Sequence, residues 1–139
     1  MITAEHMAAL KDLVATETRV ATYVADATGG AYPRIILTPA YARLWERMLS
    51  DDIAQVEQDL RVTSVGETLD AALRVAERAR QCLSPSLGAR RVPVPGWSTW
   101  SRHVRTEMTD VDRDATITGT DTHPVIVVDT IHVSSVKNR

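Results

Sequence analysis

Residues 38–61 read TPAYARLWERMLSDDIAQVEQDLR, and the period assigned to them decides whether the chain is mainly helical. Thr38-Pro39 sets a capping hydroxyl before a proline at the first helical position. Tyr41, Leu44/Trp45, Met48/Leu49, Ile53, Val56 and Leu60 then recur at a spacing of three to four. The spacing predicts a helix to about Arg61, which Ser50-Asp51-Asp52 can divide because all three residues favour caps. Tyr41 and Trp45 are the expected bulky anchors of a core without phenylalanine.

Upstream, residues 3–28 read as a first helix. Thr3 can cap it, Glu5 suits the positive end of its dipole, and Gly29-Gly30 supplies a stop. Tyr32–Leu37 reads as extended, because Pro33 disfavours helix before it and a β-branched pair follows. Downstream, Ser64-Val65-Gly66-Glu67 matches a capping box, and Leu69, Leu73, Ala76 and Leu83 form an apolar face with Asp70 and Arg74 paired outside. Three amphipathic helices joined by short connections imply a three-helix bundle over residues 1–83.

The character changes at Ser84. Ser84–Gly88 is rich in breakers and Val92-Pro93-Val94-Pro95-Gly96 excludes helix. Residues 103–108 suit a short strand. Residues 115–119 and 124–133 suit a hairpin whose second strand is apolar on both faces and expects cover on both. The expected fold is therefore α+β, with the bundle followed, over 84–139, by a proline/tryptophan loop and a small antiparallel hairpin packed as one compact domain.

At 139 residues, 44% apolar and 24% charged, the chain can bury a core without disulfides, and its single cysteine, Cys82, allows none within the chain. Its longest apolar runs, Ile35–Leu37 and Val125–Val128, are far too short to cross a membrane as helix, so a cytoplasmic or virion location is expected and no membrane partner. Arginine outnumbers lysine fourteen to two, which points to a GC-rich genome such as that of an actinobacterium or one of its phages.

Function has one prominent signal. Residues 83–106, LSPSLGARRVPVPGWSTWSRHVRT, hold Arg90, Arg91, Arg102 and Arg105 around Trp97 and Trp100 without an acidic residue. These four arginines contribute +4 to a chain of net −2, so the remainder carries −6. Arginine can grip carboxylate or phosphate through paired hydrogen bonds, and tryptophan can stack on bases or fill a protein pocket. Residues 107–129 answer with Glu107, Asp110, Asp112, Asp114, Asp121 and Asp129 against Arg113 alone, a net −5. That stretch favours internal pairing of the arginines over a protein contact, and a protein contact over nucleic acid, which demands a net basic footprint.

Asp110, Asp112, Asp114 and Asp121 fall at positions one, three, five and twelve and resemble a calcium loop of the EF-hand type. Ala115 replaces the turn glycine, however, and strand follows instead of helix, so a solvated acidic turn is the first expectation and metal only a weak second. His103, His123 and His132 show no metal-ligand spacing. Cys82 is expected to be structural, because a helix C-terminus opposes a thiolate. GxGxxG, GxxxxGK[ST] and GxSxG are all missing from the sequence, so no cofactor is expected. The functional expectation is a non-enzymatic interaction or assembly module, such as a phage accessory or virion-associated protein. It would contact another protein or a second copy through the Trp97/Trp100 loop and a strand edge. The alternative is a nucleic-acid-binding module using the arginines and tryptophans of residues 90–105.

Overall fold

In the computed structural model, described for residues 3–25, 31–47, 53–117 and 119–138, the chain is mostly β. The side chains of residues 41–47, 53 and 54 lie outside that description, and so do the expected anchors Tyr41 and Trp45. The element order is α1 (Ala4–Thr18), β1 (Ala21–Val24), β2 (Arg34–Arg47), β3 (Ile53–Gly66), α2 (Leu69–Leu83), a short 3₁₀ turn (Pro85–Leu87), β4 (Arg90–Val94), β5 (Trp97–Val111) and β6 (Val125–Lys137). The strands form one sheet in the order β1-β2-β3-β6-β5-β4, antiparallel except for the β1–β2 pair. The expected three-helix bundle is therefore incorrect, and so is a small hairpin as the whole of the β content.

The error is concentrated in residues 38–47 and 53–61, which belong to β2 and β3 instead of helix, while residues 48–52, with the expected break at Ser50-Asp51-Asp52, lie outside the described residues. A spacing of four is shared by both periods: Val56 and Leu60 lie on one face of a helix and equally on one face of a strand. What decides the matter is the intervening alternation. Val56, Gln58, Leu60, Val62 and Ser64 are all buried, whereas Gln55, Glu57, Asp59 and Thr63 are half-buried and Arg61 is exposed. That is period two. Pro39 does not start a helix but sits where the β2–β3 register shifts, between Pro39 and Tyr41. The outer side of β2 has no strand partner beyond Leu37 among the described residues, so a missing N–H costs little there.

The first helix also stops earlier than residue 28. Arg19 takes a left-handed conformation (φ 58°), its N–H bonds the Ala15 carbonyl, and the chain turns into the β-rich run Val20–Val24. Gly29-Gly30 lies outside the described residues. The third expected helix exists but its cap lies four residues later than the capping-box reading, at Thr68 instead of Ser64. Ser64–Gly66 finishes β3, and Thr68 caps α2 by accepting from the Ala71 N–H. From Arg90 onward the expected loop is regular strand: β4 and β5 are joined by Pro95-Gly96, with Gly96 at φ +80° as the third residue of a tight turn demands. Residues 115–117 and 119 are not strand, and β6 pairs instead with β3 and β5, which fuses segments 1–83 and 84–139 in one sheet.

Both helices pack on one face. α1 touches β1 and β4, the two ends of the strand order, so the sheet curls around the helices as a half-barrel. The core between them holds Leu10 and Val14 of α1, Val75, Ala79 and Leu83 of α2, and Ile35, Leu37, Leu60, Val62, Val92, Ile131 and Val133 of the strands. The other, convex face is turned away from both helices.

Gly66 fixes how closely α2 approaches β3. A Cβ there would lie 2.5 Å from the Ala72 nitrogen and 2.9 Å from the Ala71 carbonyl carbon, both backbone atoms that cannot swing aside. Gly66→Ala is accordingly expected to lower unfolding free energy by about 1–3 kcal/mol, the usual cost of overpacking. Chemical denaturation measures it, and an unchanged midpoint would show that α2 can shift without loss.

Candidate interaction surface

The basic-aromatic segment is a hairpin, and strand alternation divides it. Arg90 pairs in register with Ser101, Val92 with Thr99 and Val94 with Trp97, and this row faces the helices. Arg91 pairs with Trp100 and Pro93 with Ser98, and this row, with Arg102 two residues on, faces the convex side. The six residues singled out from sequence are thus not one cluster. Arg90 and Trp97 are inside. Arg91, Trp100 and Arg102 are outside and exposed, and Arg105 follows on the exposed far half of β5.

The inward row is structural. The Arg90 guanidinium makes paired bonds to both carboxylate oxygens of Glu17 on α1, one at 2.7 Å, and donates to the Cys82 carbonyl at 3.2 Å. These bonds hold the Glu17 carboxyl below its ordinary pKa and raise that of Arg90. Trp97 lies partly buried against the core, its ring edge-on to His6 at 4.9 Å between centroids. His6 is fully buried. Its Nδ1 completes the capping box with Thr3, accepting from the Thr3 N–H, which leaves Nε2 to donate to Ser135 Oγ at 2.8 Å. Ser135 in turn bonds Thr99 Oγ1 at 2.7 Å. The sequence reading missed His6, whose only signal was a Thr-x-x-His spacing at a helix start. Cys82 is buried, and burial foremost pushes its thiol up to about 12, which removes it as a nucleophile at neutral pH.

Two further polar groups sit on opposite faces. Asp129, 1% exposed, accepts from His103 Nε2 at 2.9 Å and Thr106 Oγ1 at 2.7 Å, with Arg80 of α2 at 3.5 Å. On the convex side Glu107 accepts from Thr130 Oγ1 at 2.7 Å and lies 3.4 Å from both Arg61 and Arg105. The Thr130 hydrogen bond and then the two guanidiniums hold the Glu107 carboxyl below its ordinary pKa. His132, also convex, bonds Asp59 at 2.9 Å.

Of the four arginines of the segment the acidic stretch therefore pairs with Arg105, while Arg90 is neutralised from α1. Arg91 and Arg102 have no ion-pair partner among the described residues. Two of the four arginines are thus engaged within the chain, which halves the charge this hairpin offers to a phosphate backbone. Of the aspartates at calcium-loop spacing, Asp110 accepts the Val111 N–H and Asp112 the Asp114 N–H, and Asp121 is exposed. Among the described residues no three His, Cys, Asp or Glu side chains converge as metal ligands, and no helix is long and apolar enough to cross a membrane.

The convex face shows what remains to bind with. Trp100 (46% exposed), Met108 and Val136 are large exposed apolar groups on it, with Arg91 opposite Trp100 on β4 and Arg102 two residues along β5. Beyond β4 the outer edge of β5 from residue 102 is unpaired among the described residues, and register shifts at His103/Arg105 and Thr106/Met108 bulge it.

No protein-family model and no curated protein matches the sequence. A chain in a solved virion of a native gene transfer agent particle aligns over 91% of this chain and 92% of its own length, with 12% identity and a TM-score of 0.53. A second solved chain aligns over 98% of this chain and 94% of its own, with 15% identity and a TM-score of 0.50. At these identities the likeness is one of fold.

Burial lowers the pKa of His6 below its ordinary value, so the sign of its pH effect is fixed. The unfolded chain takes up this proton near pH 6.5 and the folded chain resists it. Stability is expected to fall as pH drops below about 6.5, by at most about 1.4 kcal/mol per pH unit. His6→Gln should flatten that slope in urea titrations between pH 7 and 5; an identical slope would place His6 outside the linkage. Trp97→Ala is expected to cost about 2–3 kcal/mol, below the range for a fully buried ring, in the same titrations.

Proposed function

We propose that this chain is a non-enzymatic assembly protein of a virus-like particle. It joins a protein partner, another particle component or a second copy, through the convex face centred on Trp100. The observation that carries the reading is Trp100 itself, a large exposed aromatic between Arg91 and Arg102, neither of which has an ion-pair partner among the described residues. Tryptophan and arginine are the side chains that most often dominate the energy of a protein interface. Val136, also exposed, lies diagonal to Trp100 across the β5–β6 pair. The virion particle whose chain shares this fold supports a particle context. Trp97, by contrast, belongs to the core, so the contact is narrower than the pair first expected.

Complementation of particle production in cells lacking the gene tests this. Trp100→Ala, and Arg91→Glu with Arg102→Glu, are expected to reduce particle yield at least about tenfold, the loss of one interface hot spot. The same variants should stay within about 0.5 kcal/mol of the parent in denaturation, as exposed positions do. Normal particle yield from both variants would overturn the assignment.

A further inference from the structure

Along the outer edge of β4 a groove of about 510 Å³ runs between α1 and this outermost strand. Its floor is Ala8, Ala9, Leu13, Pro93 and Pro95, and every charged residue along it is acidic: Glu5, Asp12 and Glu17. Glu17 is taken by Arg90, while Glu5 and Asp12 have no ion-pair partner among the described residues. We propose that this groove docks a basic amphipathic helix of a partner protein, a contact independent of the Trp100 face.

Three features select that occupant. The acidic rim attracts cationic side chains and repels phosphate and anionic lipid alike. Glu5, Ala8/Ala9, Asp12/Leu13 and Thr16 follow one another at helical spacing, and the small Ala8 and Ala9 allow a second helix to approach within normal packing distance. Addition of a strand is disfavoured instead, because Pro93 in the middle of β4 has no N–H to offer a neighbour. An apolar floor with charged sides matches a helix that carries leucines on one face and lysines or arginines beside them.

Fluorescence anisotropy with a labelled leucine/lysine helical peptide of about 18 residues provides the probe, and a leucine/glutamate peptide of equal length the control. The lysine peptide is expected to bind and the glutamate peptide not to. Glu5→Lys with Asp12→Lys should weaken binding at least about tenfold, whereas Asp110→Lys, an equally exposed acid on β5, should change it less than about twofold. Amide shifts in NMR should centre on α1 and β4. No binding, equal loss with Asp110→Lys, or shifts centred on Trp100 would each overturn the proposal. So would sedimentation showing that Glu5→Lys with Asp12→Lys dissociates a self-assembled form, since the occupant would then be a second copy.

Discussion

Pairing of β6 between β3 and β5 is the constraint on which the rest depends. Val125–Lys137 is hydrogen-bonded along both edges, to a strand some seventy residues earlier and to one that precedes it by a single connection. Its odd-numbered residues face the helices. Val127, Ile131 and Val133 supply apolar contact there, and the two polar residues on that face each hold a different helix: Ser135 bonds His6 of α1, and Asp129 meets Arg80 of α2. A slip of one residue would bury Thr130 and His132 against the helices and turn both anchors outward. These polar contacts therefore specify register, which the apolar residues alone would leave degenerate because the even face also carries Ile126 and Val128.

That degeneracy explains how much was legible in the sequence. α2 was found because its apolar and polar residues separate cleanly at helical period, and β6 because a β-branched run has no helical alternative. α1 was found but overrun, because its stop is a left-handed arginine, a residue type that carries no such signal. Residues 38–61 were misread for a sharper reason. With polar residues at both Glu57 and Gln58, the buried one cannot be told from its neighbour, and Val56 and Leu60 satisfy both periods at once. The evidence that breaks the tie is the partner strand β6, distant in sequence, and such pairing is invisible to any local window.

The functional segment was half legible for a related cause. Composition registers that arginines and tryptophans are concentrated, but not that adjacent strand residues point to opposite faces. Arg90 and Arg91 are neighbours in sequence but lie on opposite faces of the sheet: one binds Glu17 inside, the other stands exposed beside Trp100. Net charge over 107–129 was likewise a sound measure of supply but not of geometry. Glu107 reaches Arg61 and Arg105 on the convex side, and Asp129 is spent under α2.

Strand edges, expected to serve as contact sites, differ in what they can do. At β4 the proline removes a donor from the middle of a five-residue strand, so its outer edge is a poor template. Along β5 the two register shifts leave Val104 and Glu107 without a counterpart on β6, which twists the backbone and turns side chains outward instead of a regular ladder. β2 beyond Leu37 is a second long strand whose outer side is unpaired among the described residues, and Pro39 interrupts it near its start. The molecule has thus blunted its edges and left its chemistry on two faces: a basic aromatic surface outside the half-barrel, and an acidic apolar groove beside α1. The two proposed contacts border one short strand with opposite charge, and each selects a partner of the other sign.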